Sequence, residues 1–97
     1  GGTGKRPDMD RPREPLEAFP LESIRMVGTL SRNKETFGLV RAGTNLFRVR
    51  KGNYMGQNFG VITGIDDAQI SLKELIQEGG GDWVERTSAL QLQEIKK

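Results

Sequence analysis

Between residues 24 and 76 the apolar side chains recur at every second position in short runs broken by polar or glycine-bearing turns, a period that predicts β-strands. Residues 24–31 (IRMVGTLS) set Ile24, Met26, Gly28 and Leu30 against Arg25, Val27 and Thr29. A polar turn of hairpin length at 31–34 leads into residues 35–41, where Phe37 and Leu39 oppose Thr36, Gly38 and Val40. After a turn at 42–45, residues 46–51 form a third strand with Phe47 and Val49 inward and Arg48 and Arg50 outward.

The stretch that organises the rest is 52–60, a connection punctuated by Gly52, Gly56 and Gly60, where the backbone can turn or approach another strand closely. Strands at 60–66 and 69–76 follow, the second presenting Ile70, Leu72 and Ile76 on one side. A glycine-rich turn at 78–82 precedes extended structure at 83–86. Residues 88–95 (SALQLQEI) fit either a closing strand through Leu90 and Leu92 or a frayed helix through Leu92 and Ile95; the reading favours a short strand ending near Leu92, with a disordered tail at 93–97. The expected inner set is Ile24, Met26, Val27, Leu30, Phe37, Leu39, Phe47, Val49, Tyr54, Ile62, Ile65, Ile70, Leu72 and Leu75. About six or seven short antiparallel strands describe an all-β fold, a small sandwich or barrel, over residues 21–92.

Residues 5–20 break this pattern. They hold all four prolines, at 7, 12, 15 and 20, with balanced charges and few apolar side chains. Such a stretch is expected to be a disordered, extended tether, making 1–20 a unit distinct from the body. Its sixteen residues would span roughly 50 Å at about 3.1 Å each. Near its end Leu16, Phe19 and Leu21 depart from the polar pattern, and residues 21–23 are expected to form one helical turn docked on the sheet. The leading GGTG reads as a cloning remnant.

Composition narrows the function more than the fold. The 97 residues include no histidine and no cysteine, which removes the commonest proton shuttle, the usual nucleophilic thiol and nearly all zinc chemistry. A domain this small buries only about 60% of its unfolded surface, so a deep catalytic cleft is not expected. No run of about 18 apolar residues is present to span a membrane. The net charge of +2 is unevenly spread: residues 24–52 carry seven basic side chains against Glu35 alone, whereas 53–97 carry four basic against seven acidic. The basic half reads either as a solvated outer face or as a surface that steers an acidic partner.

No arrangement of side chains calls for a cofactor, a metal or catalysis. The glycines at 52, 56 and 60 match neither a dinucleotide fingerprint nor a phosphate loop. Asp66-Asp67 sits where a strand should turn and is expected to bond nearby amides, and Glu74 is assigned to an outer face. Two binding readings remain. In one, a strand edge carrying Arg48, Arg50 and Lys51, with Tyr54, Met55 and Phe59 as exposed apolar contacts, meets another protein. In the other, the basic strand and following Gly-x-x-x-Gly-x-Val resemble the KOW element of small RNA-binding barrels.

Residues 16–30 (LEAFPLESIRMVGTL), 37–40 (FGLV), 47–62 (FRVRKGNYMGQNFGVI) and 70–75 (ISLKEL) resemble, in order and spacing, the periplasmic domain of the PilP family of type IV pilus assembly lipoproteins. Asn53 stands where an aspartate is common in that family, which bears on the turn alone. The resemblance implies a β-sandwich similar to the homology region of the type II secretion protein GspC, with a lipid anchor upstream. It also implies a non-enzymatic adaptor on the periplasmic side of the inner membrane. The tether would contact the PilN/PilO complex and the folded domain the secretin PilQ.

Overall fold

The computed structural model describes residues 7–93; the expected tail lies almost wholly outside them. Seven strands run in the order β1 (Ile24–Arg32), β2 (Glu35–Ala42), β3 (Asn45–Val49), β4 (Tyr54–Met55), β5 (Gly60–Ile65), β6 (Gln69–Gln77) and β7 (Trp83–Gln91). They form two antiparallel sheets, β1-β2-β3 and β4-β5-β6-β7. Asn33 and Lys34, at φ 52° and 68°, make the two-residue turn between β1 and β2, in the twist that suits a tight hairpin. Asp66 closes the β5–β6 turn by accepting from the amides of Ala68 and Gln69 at 2.8 and 2.9 Å, as expected of a turn aspartate. The sheets meet at one corner, where Leu92 bridges to Met26 and the Gln93 amide donates to the Met26 carbonyl.

The core lies between the sheets and is built from Ile24, Met26, Val40, Ala42 and Val49 on one side and Met55, Ile62, Ile70 and Leu72 on the other. Six of these were expected. The phase of β2 is reversed: Gly38, Val40 and Ala42 face inward, while Phe37 and Leu39 lie half-buried on the outer face. The cause is steric, because a Cβ at position 38 would sit 2.7 Å from Ile70 Cδ1, and only small side chains fit where the sheets press together. A β-bulge between Met26 and Gly28 then turns Leu30 outward, opposite Phe37, leaving it 41% exposed.

Two further expectations change and one holds. The glycine connection is not all turn: Tyr54 and Met55 form β4 and pair with Val61 and Gly60. The stretch after Arg86, expected as a short strand ending near Leu92, is strand to Gln91, all nine β7 residues pairing with β6. A free tether through residue 20 is also not what the described part of that segment forms. Pro15–Ala18 and Leu21–Ser23 are short 3-10 turns, and Leu16 joins the core at 4% exposure.

Candidate protein-docking surface

The six residues put forward as contacts do not converge. Arg48 is exposed on the outer face of the three-stranded sheet, its guanidinium carbon 4.9 Å from the centroid of the Phe37 ring. Arg50 lies just beyond β3, 3.8 Å from Glu35 with both side chains about half in solvent, and Lys51 is exposed in the turn that follows. Met55 is completely buried between the sheets, so it is withdrawn as a contact. Its alternation with Tyr54 on β4 sends one side chain inward and the other out.

Tyr54 belongs to the other sheet, and Phe59 lies in the turn between its strands β4 and β5. Phe59, at φ 56°, packs edge-on against Trp83 at 5.8 Å, with the Arg13 guanidinium 5.8 Å from its ring. Tyr54 is half-buried under the N-terminal segment. The Tyr54 amide donates to Glu14 Oε1 at 3.0 Å, and the next residue but one, Gly56, donates to the Leu16 carbonyl at 3.1 Å. Edge strand β4, only two residues long, is thereby covered by the chain's own leader. Arg11 completes this clasp, reaching both oxygens of buried Glu17 at 2.8 and 2.7 Å. The hydrogen bond from Arg11 holds the Glu17 carboxyl below its ordinary range; burial opposes that shift and the Glu14 amide adds to it. The Glu14-x-x-Glu17 spacing was the available sequence signal for this clasp, masked by the surrounding prolines.

Glu74 corrects a second reading. It is fully buried, held by Arg86 at 3.0 Å, by Ser88, and by Asn58 at 3.4 Å, on the wall of a cleft of about 330 Å³. Its parity with Ile70 and Leu72 points it inward. Satisfied by two neighbours on β7 and one on the β4–β5 connection, it fixes strand register rather than presenting an acid to solvent.

What remains open is the outer face of the three-stranded sheet. Its rows pair Arg25 with Arg41 and Arg41 with Leu46, then Gly28 with Leu39 and Leu39 with Arg48, then Leu30 with Phe37. Leu46 is 59% exposed. The opposite layer and its turns carry Asp66, Asp67, Glu74, Glu78, Asp82 and Glu85 against Lys73 and Arg86. The molecule is therefore polar in charge across its two layers, with exposed leucines on the basic one. Such a face can bind an acidic macromolecular surface; it holds no constellation for bond chemistry.

Comparison with known proteins bears on the family and the fold. The chain is 42% identical over 89 residues to the type IV pilus inner membrane component PilP of Pseudomonas aeruginosa; that match takes in 92% of the chain and spans about half (51%) of the relative's length. A solved domain of the pilus biogenesis lipoprotein PilP from the same organism superposes with a TM-score of 0.83 at 41% identity, covering 90% of this chain and all of that one. The solution structure of a domain of the Neisseria meningitidis PilP pilot protein gives 0.73 at 41% identity over 96% of this chain and 82% of that one. Residues 2–92 match the family described as pilus assembly protein, PilP, and the chain belongs to that family.

Proposed function

We propose that this domain is a non-enzymatic periplasmic adaptor of type IV pilus assembly, joining the inner-membrane PilN/PilO complex to the secretin PilQ by protein–protein contacts. The leader is the side turned to PilN/PilO, and the sandwich is the side turned to the secretin. A lipid anchor upstream would hold the protein on the periplasmic face of the inner membrane. Relatives described as an inner membrane component and as a biogenesis lipoprotein support that placement. The observation that carries the reading is the exposed basic face of the three-stranded sheet, with Arg48 propped on Phe37. The RNA-binding alternative loses its ground, since the family is one of pilus assembly and the second layer is acidic.

The test is binding of the periplasmic part of PilQ at low salt to the domain and to an Arg48→Glu/Arg50→Glu variant. A weakening of about tenfold or more with the fold intact is expected. Equal affinity would remove this surface, and failure of the unaltered domain to bind would remove the secretin from the reading.

A further inference from the structure

Arg25 on β1 and Arg41 on β2 stand directly opposite one another, both exposed. Among the described residues neither has a carboxylate within ion-pair distance. Like charges facing each other across a strand pair are unfavourable, and packing does not require this pair, because Ile24, Met26, Val40 and Ala42 fill the core from the opposite face. Exposed Leu46 flanks Arg41 in the same row, Leu39 and Arg48 form the next, and the β1 bulge adds Leu30 beyond them. Cations and apolar side chains are thus interleaved on one face of the three-stranded sheet.

We infer that this face docks an acidic segment of a protein partner that alternates carboxylates with apolar side chains, one carboxylate bridging Arg25 and Arg41. The inference rests on the adaptor reading above and supplies the chemistry of the partner. A bridging carboxylate relieves the repulsion between the two guanidiniums, so binding recovers what the free domain gives up. A second carboxylate meets Arg48, whose guanidinium is already held against Phe37 and loses little freedom on donating a forked pair of hydrogen bonds to it. Apolar side chains of the segment cover Leu46, Leu39 and Leu30. Glu35, beside Arg50 on this sheet, argues for a protein rather than an anionic bilayer. A carpet of headgroups cannot avoid that carboxylate, whereas a shaped partner can.

The test titrates the isotopically labelled chain with a synthetic peptide of alternating aspartate and leucine, and in parallel with phosphatidylglycerol vesicles, following backbone amides by NMR. Shifts confined to residues 25, 39, 41, 46 and 48 with peptide are expected. Arg25→Glu/Arg41→Glu should weaken peptide binding by about tenfold or more. Arg25→Ser/Arg41→Ser, with a melting temperature equal to or above the unaltered chain's, guards against loss of fold. No peptide binding, shifts elsewhere, unchanged affinity in the variants, or binding to vesicles but not peptide would each overturn the inference. A PilQ fragment separates the two readings. Peptide on this face without PilQ binding sinks the secretin contact alone. PilQ bound equally by the Arg25/Arg41 variants sinks the inference alone.

Discussion

The guanidinium carbon of Arg11 lies 3.4 Å from the centroid of the Tyr54 ring while its terminal nitrogens grip both oxygens of Glu17. One side chain thereby ties the leader to itself and to the edge of the four-stranded sheet. Glu17, buried with its pKa depressed chiefly by Arg11, stabilises the docked leader at pH above its unfolded value of about 4.3. That contribution drains away as pH falls through the lower folded value. The leader should therefore come off before the sandwich unfolds when the solution is acidified below about pH 4. Protection of the Tyr54 and Gly56 amides from exchange should fall there while that of Ile70 and Leu72 stays high. Arg11→Ala should produce the same loosening at neutral pH; unchanged protection at Tyr54 would show that the clasp contributes nothing.

Glu74 and Arg86 pair directly across β6 and β7, with the carboxylate buried and the guanidinium half in solvent. Removing the arginine leaves the carboxylate with Ser88 and Asn58, so Arg86→Ala should cost about 1–3 kcal/mol. Replacing both partners with leucine removes the buried charge together with its partner and should recover most of that loss. Urea denaturation of the single and double variants checks this; a double variant less stable than Arg86→Ala would mean that the carboxylate's other bonds dominate.

These two pairs also mark what the chain's pattern made legible. Period two located strands β1, β2, β3, β5 and β6 to within a few residues, because each is a half-buried alternation bounded by turns. It could not choose which face of β2 is inner, since Phe37/Leu39 and Gly38/Val40 are both apolar and the choice is made by Ile70 from the other sheet. Glu74 was readable in principle from its parity with Ile70 and Leu72, but its charge argued for the outside, and its partners Arg86 and Ser88 come from the next strand. The clasp joins residues about forty positions apart, as in the bond from Tyr54 to Glu14, and periodicity carries nothing over that distance. Of the expected contacts, Arg48, Arg50 and Lys51 are exposed, on the outer face of β3 and in the residues just after it, whereas Met55 is buried.

Gly60 is required by its surroundings. A Cβ there would lie 2.8 Å from the Met55 carbonyl oxygen, a backbone atom in the paired strand, and 3.3 Å from Glu74 Cγ. Because neither β4 nor the buried carboxylate can retreat freely, Gly60→Ala should destabilise the domain by about 1–3 kcal/mol. Gly64 is on the same strand with nothing near the corresponding position, so Gly64→Ala should be neutral or mildly stabilising, by about 0.5 kcal/mol. Comparable melting temperatures for the two variants would show that β4 yields to the added methyl.

Leu16 decides where the folded unit begins. It sits ahead of the first strand yet is 4% exposed and shares the core with Met26 and Met55, whereas Met9 is 64% exposed. A buried leucine truncated to alanine costs roughly 2–5 kcal/mol when its surroundings cannot collapse. Here the leader can detach, and the loss is capped by the free energy that docks it. Leu16→Ala should accordingly lower stability by about 1–3 kcal/mol, with Met9→Ala within about 0.5 kcal/mol of the unaltered chain. A chain starting at residue 21 should then unfold at the same temperature as Leu16→Ala or lower, since it also leaves the amides of Tyr54 and Gly56 without their partners. If the shortened chain matched the full one in melting temperature, the leader would be a passenger and the domain would begin at residue 21, as composition alone suggests.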